Sequence, residues 1–251
     1  MKPLRLIIAA LILLIVFIIY LTTIDKKIYY ISIGDSFAIG ENPYGKTGYG
    51  YSDYIANYLE KNNLLEFYTK DFSNTNYRTT DLLNSIKNNK KININGKNLS
   101  IKNALIKADL VTVSIGIDEL FYRMGINDMS FNLTKVDGLY KVVDEITDNI
   151  KKNIIYLKQY CKEDIVILGC YNPLSRISST YLRDLEPIFI YMNNKISKLA
   201  TNYDVYYINI YDIFKENPEY LPNPNNVHPS TNGYEVISSQ IIDIIEKNII
   251  N

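Results

Sequence analysis

The chain has 251 residues, and its 27 Lys and Arg residues are balanced by 27 Asp and Glu residues, so the formal net charge is zero. A protein that binds nucleic acid normally presents a basic face, and this balance argues against such a partner. Once a short N-terminal segment is set aside, the remaining length is enough for one α/β domain with a sizeable core. The sequence shows no internal repeat and no second domain.

The N-terminal segment is strongly apolar. Leu6–Ile24 contains 19 residues without a charge, which is long enough to cross a bilayer core as a helix. Basic residues lie on both sides and orient it only weakly, with the N-terminus inside. A cleaved signal peptide is the alternative, but no small-x-small cleavage site follows, and the first predicted strand begins about four residues later. We therefore expect an uncleaved transmembrane helix at about residues 6–24, a membrane anchor over residues 1–27, and a domain over residues 28–251 on the extracytoplasmic side.

The rest of the chain alternates between short apolar stretches and amphipathic ones. Stretches rich in β-branched and aromatic residues predict strands at Tyr29–Gly34, Leu64–Phe72, Asp109–Ile115, Ile165–Gly169 and Val205–Ile210. Helical spacing predicts helices at Ser52–Lys61, after the caps Thr79 and Thr80, at Ile101–Ala108, Asp137–Gln159 and Tyr181–Leu199, and from Ser230 through Lys247. Strands that alternate with helices indicate parallel pairing in a doubly wound sheet.

Two segments interrupt this alternation. Lys87–Asn98 is rich in Lys and Asn and contains the turn signal Asn95-Gly96, so we expect a solvated surface excursion there. Tyr211–Phe214 predicts a short turn, and the three prolines between positions 218 and 224 predict irregular chain after it.

Polar side chains follow the predicted strands. In a parallel sheet the carboxyl ends of the strands meet at one edge, where open α/β sheets bind their ligands. The loops that reach this edge hold Ser36, the region Asn74–Thr79, the run Gly116–Glu119, Asn172, and a proline-rich loop with Asn225 and His228. His228 is the only histidine in the chain. We therefore expect Ser36 and His228, from opposite ends of the sequence, to share this edge.

Ser36 and His228 are the residue types of a serine hydrolase. Such an enzyme needs a base for the serine proton, donors for the oxyanion, and a group that holds the imidazole tautomer. Taken alone, a serine after a strand is more often a helix N-cap, and a lone histidine before a helix is more often structural. The two together, each in a loop at the same edge, favour a nucleophile and its base.

Short motifs around these residues resemble blocks of the GDSL (SGNH) hydrolase family. The first block is similar to Gly34-Asp35-Ser36-Phe37, and the last is similar to Asn225-Asn226-Val227-His228-Pro229-Ser230 with Gly233-Tyr234. The segments Gly169–Pro173 and Gly48–Tyr51 also resemble the corresponding sequences in a membrane-anchored branch of this family from low-GC bacteria. The resemblance runs from about Ile28 to the C-terminus. It implies a three-layer, flavodoxin-like α/β fold, with a five-stranded parallel sheet in the order 2-1-3-4-5, and hydrolysis of esters or acyl groups without a metal or cofactor.

The family's oxyanion donors are altered in this chain. The second block supplies a backbone N–H from a glycine, and Asn76 stands at the matching position. Asn tolerates the backbone angles of glycine better than most residues, so this donor can survive. The third block reads Gly-x-Asn-Asp with an Asn side chain as a donor, but here Gly116 is followed by Ile117 and Asp118. An ionised Asp118 cannot donate, and the loss of one such donor costs about 2.7–4 kcal/mol.

The last block is altered as well, because Asn225 stands where the family places the triad carboxylate. Its oxygen can accept from the imidazole N–H but cannot stabilise imidazolium, and an Asp→Asn change there in a serine protease lowers turnover by about 10⁴. Some members of the family manage with a Ser–His dyad helped by a backbone carbonyl. Because Asn has become Asp at 118 and Asp has become Asn at 225, Asp118 is also a candidate acid partner of His228 or of the Ser36 region.

Two functions stay open on these residues. The first is a serine ester hydrolase, in which Ser36 attacks an acyl carbonyl, His228 is base and then acid, and the N–H groups of Ser36 and Asn76 bind the oxyanion. Its substrates would be acyl groups on lipid, glycan or cell-wall polymer near the membrane. The second is a catalytically impaired homologue that keeps the fold and binds a glycan, lipid or protein. The substitutions at positions 76, 118 and 225 motivate the second.

Overall fold

The computed structural model describes residues 27–127, 130–131, 138–173, 180–224 and 226–250. Residues 6–24, predicted as a transmembrane helix, and Asn225, predicted as a catalytic residue, lie outside the described residues. Within the described ranges, no helix combines the length and the apolar composition needed to cross a membrane.

One parallel sheet organises the described residues. The strands in chain order are β1 (Ile28–Gly34), β2 (Leu65–Thr69), β3 (Lys91–Ile94), β4 (Lys97–Ser100), β5 (Leu110–Ser114), β6 (Ile126–Asn127), β7 (Ser130–Phe131), β8 (Asp164–Leu168) and β9 (Tyr206–Ile208). Five of them pair in parallel in the spatial order β2-β1-β5-β8-β9. Numbered among themselves, these five have the order 2-1-3-4-5, so the predicted sheet is confirmed. β3 pairs with β4, and β6 with β7, in two small antiparallel ribbons.

Helices cover both faces of this sheet. In the described residues the α-helices are α1 (Ser36–Ile39), α2 (Tyr51–Lys61), α3 (Thr79–Lys87), α4 (Ile101–Lys107), α5 (Ile117–Arg123), α6 (Leu139–Tyr160), α7 (Thr180–Tyr203), α8 (Ile210–Glu216) and α9 (Thr231–Ile244). A 3₁₀ helix at Pro218–Tyr220 follows α8, and a π-helix at Ile245–Ile249 continues α9. α6 packs against α3 and α7, whereas α9 packs against α2. Every residue of β1 and β5 is buried, which requires cover on both faces, as in a three-layer α/β fold.

The predicted surface excursion contains a β-hairpin that its polar composition concealed. β3 and β4 join through Asn95 and Gly96, whose φ angles of 51° and 81° are both left-handed. Such a two-residue turn matches the twist of a hairpin, and Asn-Gly is a preferred sequence for it. The sequence therefore predicts the turn but not the strands beside it. The side chains of β3 alternate between exposed and half-buried, whereas β4 is exposed at its start and buried at Ser100.

Some predicted boundaries differ from those in the structure. α1, α5 and α8 follow strands directly, where the sequence predicts loops or turns, because helices of four to seven residues show little periodicity. The second strand ends at Thr69 and not at Phe72. Thr79 is the first residue of α3 and Arg78 is at the N-cap position. The Thr79 hydroxyl instead donates to the buried Glu119 carboxylate at 2.6 Å, which links α3 to α5.

Candidate active site

Ser36 lies directly beyond the carboxyl end of the central strand β1. Gly34 ends this strand with a φ of 146°, and a Cβ there would lie 1.8 Å from the Ser114 carbonyl oxygen, so only glycine fits. The N–H of Asp35 donates to the same carbonyl at 2.9 Å. The Asp35 carboxylate then caps α1 by accepting from the Phe37 N–H at 3.3 Å. These contacts hold Ser36 at the start of α1, between the ends of β1 and β5.

His228 reaches Ser36 from the loop before α9. Its Nε2 lies 2.9 Å from Ser36 Oγ, and the residue is buried. The Ser230 side chain caps α9, as the sequence predicts for this serine. The Tyr171 hydroxyl donates to the Val227 carbonyl. These contacts hold the chain at Val227 and at Ser230, on either side of His228, and so keep the imidazole ring directed at Ser36.

Asn226 and Glu41 face the other nitrogen of the ring. Asn226 Oδ1 lies 2.8 Å from His228 Nδ1 and accepts the backbone N–H of His228, also at 2.8 Å. The same amide oxygen accepts the backbone N–H and faces Nδ1, so the amide presents an acceptor to the ring. We therefore assign the ring hydrogen to Nδ1, which leaves Nε2 as the acceptor. Glu41 Oε1 lies 3.7 Å from Nδ1, and the Glu41 carbonyl accepts from the Tyr234 hydroxyl at 2.6 Å. Within the described residues, Asn226 and Glu41 are therefore the groups that orient the imidazole.

Asp118, in the first turn of α5, contacts Ser36. Its Oδ2 accepts the Ser36 hydroxyl hydrogen at 2.7 Å and lies 3.4 Å from the Ser36 backbone nitrogen. Gly116 precedes α5 at the N-cap position with a φ of 104°, and a Cβ there would lie 3.0 Å from Ile146 Cγ2. Gly116 therefore shapes the turn that brings Asp118 to Ser36. The Ser36 hydroxyl consequently has two acceptors, Asp118 and His228, for one hydrogen.

The contacts of Asp118 distinguish between its two proposed roles. Its partner is the Ser36 hydroxyl. The carboxylate that forms an ion-pair contact with His228, among the described residues, is that of Glu41. The structure thus supports the hypothesis that Asp118 acts on the Ser36 region, and it gives no support for Asp118 as the acid partner of the imidazole.

Asn76, on the loop between β2 and α3, has a left-handed φ of 64°. Glycine adopts this conformation freely and Asn tolerates it, so the substitution leaves the backbone shape accessible. The N–H of Asn74 donates to the Gly34 carbonyl at 3.2 Å, which ties the loop to the end of β1. The loop therefore adjoins the turn that holds Ser36, and the role of Asn76 as an oxyanion donor stays a prediction.

Carboxyl groups also shape the electrostatics beneath Ser36. The Asp35 side chain is fully buried, and its Oδ2 has no hydrogen-bond partner among the described residues. Burial, and after it the charge of Asp118, raise the pKa of the Asp35 carboxyl well above its usual range. Burial likewise raises the pKa of the Tyr171 and Tyr234 hydroxyls, with a smaller contribution from the charge of Asp118. Burial near Ser36 therefore favours the neutral forms of the Asp35 carboxyl and of these two hydroxyls.

The groups that meet at this edge of the sheet are a hydroxyl, an imidazole and carboxyls. Within the residues that the structure describes, no group of three or more His, Cys, Asp or Glu side chains is placed to hold a metal ion. The arrangement of hydroxyl and imidazole is suited to nucleophilic catalysis with proton transfer.

Sequence reasoning did not identify Asn226, Glu41 or Tyr171 as parts of the site. Asn226 forms a local turn with the backbone N–H two residues ahead, a habit of Asn side chains that could have pointed to it. Glu41 lies in a loop without a motif; its N–H donates to the Ser36 carbonyl at 3.0 Å, and its carbonyl accepts from the distant Tyr234 hydroxyl. Tyr171 lies in the quoted motif Gly169–Pro173, but no local pattern predicts its contact with the loop of His228.

Known proteins resemble this chain in sequence pattern and in fold. The profile of the GDSL-like Lipase/Acylhydrolase family matches residues 32–236. No match was found among curated proteins. The lipase Lip_vut3 from a goat rumen metagenome superposes with a TM-score of 0.67 at 19% identity, covering 85% of this chain and 95% of that one. Axe2, an acetylxylan esterase from Geobacillus stearothermophilus, superposes with a TM-score of 0.62 at 16% identity, covering 91% of this chain and 98% of that one.

At 19% and 16% identity, the similarity to these two structures is a similarity of fold. The profile match is more informative, because it extends from β1 to α9 and includes both Ser36 and His228. The chain therefore belongs to the GDSL-like lipase/acylhydrolase family.

Proposed function

We propose that this protein is a serine hydrolase that acts on carboxylic esters. One observation carries the proposal, namely the 2.9 Å contact between Ser36 Oγ and His228 Nε2, made by buried residues 192 positions apart in the chain. A hydroxyl and an imidazole at this distance form the nucleophile–base pair of acyl transfer. Membership of a lipase/acylhydrolase family supports an ester as the bond that is cleaved.

In the proposed reaction, Nε2 of His228 takes the Ser36 proton as Oγ attacks the acyl carbonyl carbon. The imidazolium then returns the proton to the leaving alcohol, and an acyl-Ser36 ester remains. Water attacks this ester with His228 again as the base, which releases the acid and the free enzyme. Asn226 keeps the hydrogen on Nδ1 throughout, and the nearby charge of Glu41 stabilises the imidazolium.

The backbone N–H groups of Ser36 and Asn76 are the proposed donors to the oxyanion. Ser36 is the first residue of α1, where a backbone N–H has no partner within the helix. An oxygen already lies near this N–H, because Asp118 Oδ2 is 3.4 Å away. That contact supports an oxygen-binding position directly beside the nucleophile.

The proposed substrates are ester-linked acyl groups on lipid, glycan or cell-wall polymer. Proteins of this fold include one named a lipase and one named an acetylxylan esterase, so both lipid and glycan esters are represented. We also propose that residues 6–24 anchor the protein in the cell membrane, with residues 28–251 on the extracytoplasmic side; the uncharged length of the segment supports this. Flotation of the full-length chain with membranes, compared with a variant that lacks residues 1–27, tests the anchor.

A catalytically impaired homologue that binds a glycan, lipid or protein is the second candidate. The contact between Asp118 and Ser36 favours it, because an ionised carboxylate competes with His228 for the Ser36 hydrogen. Variants of Axe2 described as catalytic mutants replace a serine, a histidine, and an aspartate three residues before that histidine. Asn225 stands at this spacing before His228, and it carries no charge.

Hydrolysis of p-nitrophenyl acetate and butyrate by the full-length protein separates the two candidates. A hydrolase should lose about 10³-fold or more in kcat when Ser36 is replaced in Ser36→Ala. A fluorophosphonate probe should label wild-type Ser36 and leave the variant unlabelled. Wild-type activity equal to that of Ser36→Ala, together with no labelling, would leave a binding protein as the function.

A further inference from the structure

The net charge of zero conceals a strongly basic surface outside the catalytic groups. Residues 73–102 hold six Lys and Arg residues and one acidic residue, Asp81, whereas the rest of the chain holds 21 Lys and Arg residues against 26 Asp and Glu residues. We name these six cations the basic strip; they are Arg78, Lys87, Lys90, Lys91, Lys97 and Lys102. We propose that the basic strip binds a linear polyanion with repeating phosphate groups, and that this polymer carries the ester that is cleaved at Ser36. The binding stands on its own, and the link to the ester rests on the proposed hydrolase.

The positive charge of the basic strip is not neutralised by neighbouring acids. Within the described ranges, none of its six cations forms an ion pair with a carboxylate. The Asp81 carboxylate accepts from the Arg78 backbone N–H at 2.9 Å, as part of the cap of α3, so its partner is a backbone group. On the neighbouring helix α6, the Glu145 carboxylate pairs with Arg123 of α5. The basic strip therefore projects a positive potential into the solvent.

Tyrosine rings, and not acids, hold four of these cations. The pairs are Arg78–Tyr122, Lys87–Tyr156, Lys90–Tyr77 and Lys102–Tyr160, with the cation 4.3–5.2 Å from the ring centroid. Lys195 and Lys215, elsewhere in the described residues, also lie over tyrosine rings, but both form ion pairs with carboxylates. The quadrupole of a ring attracts a cation without cancelling its charge. The cations of the strip are thus held in place while their charge stays available to a ligand.

The basic strip begins at the edge of the sheet that holds Ser36. β2 ends at this edge, so α3, which leads back toward the start of β5, runs to the opposite edge. Arg78 precedes α3 and Lys87 ends it, and at 1.5 Å per residue they lie about 14 Å apart along the helix. Lys102 Nζ donates to the Lys87 carbonyl at 3.2 Å, so the first turn of α4 continues the row.

The hairpin of β3 and β4 extends the strip beyond α3. Lys91 lies at its base, opposite Ser100, and Lys97 lies beside its turn, opposite Ile94. Three residue steps separate these two positions, which is about 10 Å along the hairpin. The cations therefore form an extended row and do not converge on one point.

An extended row of this kind fits a chain of phosphates. Five of the six cations are lysines, and an ammonium group contacts a phosphate as a point charge, whereas bidentate recognition of a carboxylate is a property of Arg. A single phosphate is too short to occupy the row, so the ligand needs repeating anions. A flat bilayer would meet only one end of the strip, because Arg78 and Lys87 lie toward opposite edges of the sheet.

Arg78 connects the basic strip with the candidate active site. It follows the proposed oxyanion donor Asn76 by two residues, and its guanidinium lies over Tyr122 of α5, the helix that carries Asp118. The next residue, Thr79, contacts Glu119 of the same helix through its N–H and its hydroxyl. A polymer bound along α3 thus reaches the margin of the site at Arg78.

Fluorescence anisotropy of labelled inorganic polyphosphate with the full-length protein in neutral detergent tests the binding. A strip variant replaces four exposed cations and carries Arg78→Gln, Lys87→Gln, Lys91→Gln and Lys97→Gln. The control variant replaces four exposed lysines elsewhere and carries Lys61→Gln, Lys141→Gln, Lys162→Gln and Lys198→Gln. Both lose the same net charge. Each phosphate contact contributes about 0.7 to the slope of log affinity against log salt for a flexible strand, so the strip variant should lose about 3 from this slope.

At low salt the strip variant should also bind at least about tenfold more weakly than the wild type, whereas the control variant should bind like the wild type. Absence of wild-type binding, or equal losses in the two variants, would overturn the proposal. Tighter binding of single-stranded DNA than of polyphosphate of equal charge would overturn it too, because a nucleic acid would then be the partner.

The link to the ester is tested with acetylated poly(glycerol phosphate), a phosphate polymer whose hydroxyls carry acetyl esters. The strip variant should show a KM at least about tenfold higher for this polymer with kcat unchanged, and wild-type kinetics on p-nitrophenyl acetate, which is too small to use the strip. Equal KM values for the polymer in the strip and control variants would refute the link. Polyphosphate binding by the strip without any Ser36-dependent hydrolysis would refute the proposed hydrolase and leave the binding surface in place.

Discussion

The side-chain oxygen of Asn226 lies 2.8 Å from both the backbone nitrogen and the ring Nδ1 of His228. This contact sets the tautomer in which Nε2 is the base. We expect Asn226→Ala to lower kcat/KM about tenfold with KM little changed, since it loses both hydrogen bonds to His228, each worth about 0.5–1.5 kcal/mol. Asn226→Asp should instead keep kcat/KM above that of Asn226→Ala, because a carboxylate also accepts from Nδ1 and stabilises the imidazolium that forms in the reaction. Equal losses in both variants would argue against this role.

Glu41 places a charge 3.7 Å from the same ring nitrogen. Glu41→Gln keeps the shape of the side chain but removes that charge, so imidazolium becomes less stable. We expect kcat/KM to fall a few-fold with KM little changed. Glu66→Gln, an exposed position on β2, is the matched control and should leave kcat/KM unchanged. Equal kcat/KM in both variants would show that Glu41 does not act on the imidazole.

The Tyr171 hydroxyl ties the loop of His228 to the end of β8 through the Val227 carbonyl. Its ring packs against Phe37 and Phe214, so Tyr171→Phe should keep the packing and lose only the hydrogen bond. We expect the free energy of unfolding to fall by about 0.5–1.5 kcal/mol, measured by urea denaturation. Activity should fall as well, because the loop is less well held. Tyr44→Phe, at an exposed ring, should change neither quantity.

Asn76 adopts a left-handed φ of 64°. Asn76→Gly should retain stability and activity, because glycine accepts this conformation and still offers its N–H. Asn76→Val should lose about 1–3 kcal/mol of stability or distort the loop, since a β-branched residue is strained at this φ. Urea denaturation and kcat of both variants check the expectation. A Val variant as stable and active as the wild type would remove Asn76 from the oxyanion site.

Replacing Asp35 by Asn should raise the stability of the protein by an amount that depends on pH. Burial, and then the charge of Asp118, raise the pKa of its carboxyl well above the usual range. The folded state therefore holds a proton that the unfolded state has lost above about pH 3.9, so the wild type loses stability as pH rises from there. Asn also caps helices, so Asp35→Asn should keep the α1 cap without this loss. Its advantage over the wild type should be small at about pH 4 and larger at neutral pH. A difference independent of pH would contradict the argument.

The sequence predicts the sheet and the Ser36–His228 edge because these depend on local patterns. Apolar strands separated by amphipathic helices imply parallel pairing, and parallel pairing places every strand-end loop at one edge. The contact between Asp118 and Ser36 was one of two alternatives left open by the substitutions at positions 118 and 225, and local patterns did not decide between them. It depends on the left-handed turn at Gly116 and on the short helix α5, whose pattern is too brief to be distinguished from a loop. Glu41 was missed for a different reason, since no motif marks its loop and its contact with Tyr234 joins residues 193 positions apart in the chain.

The direction of β1 has a consequence for how the protein meets a surface. The strand runs from Ile28 to Gly34, so the chain enters the sheet at the edge opposite Ser36. The six steps from the first to the last of its residues, at about 3.3 Å each, separate the two edges by about 20 Å. Whatever is joined ahead of Lys27, whether a lipid layer, a bead or a fused protein, therefore meets the domain at its far side. A molecule tethered at that end would carry its nucleophile on the side of the domain farther from the point of attachment.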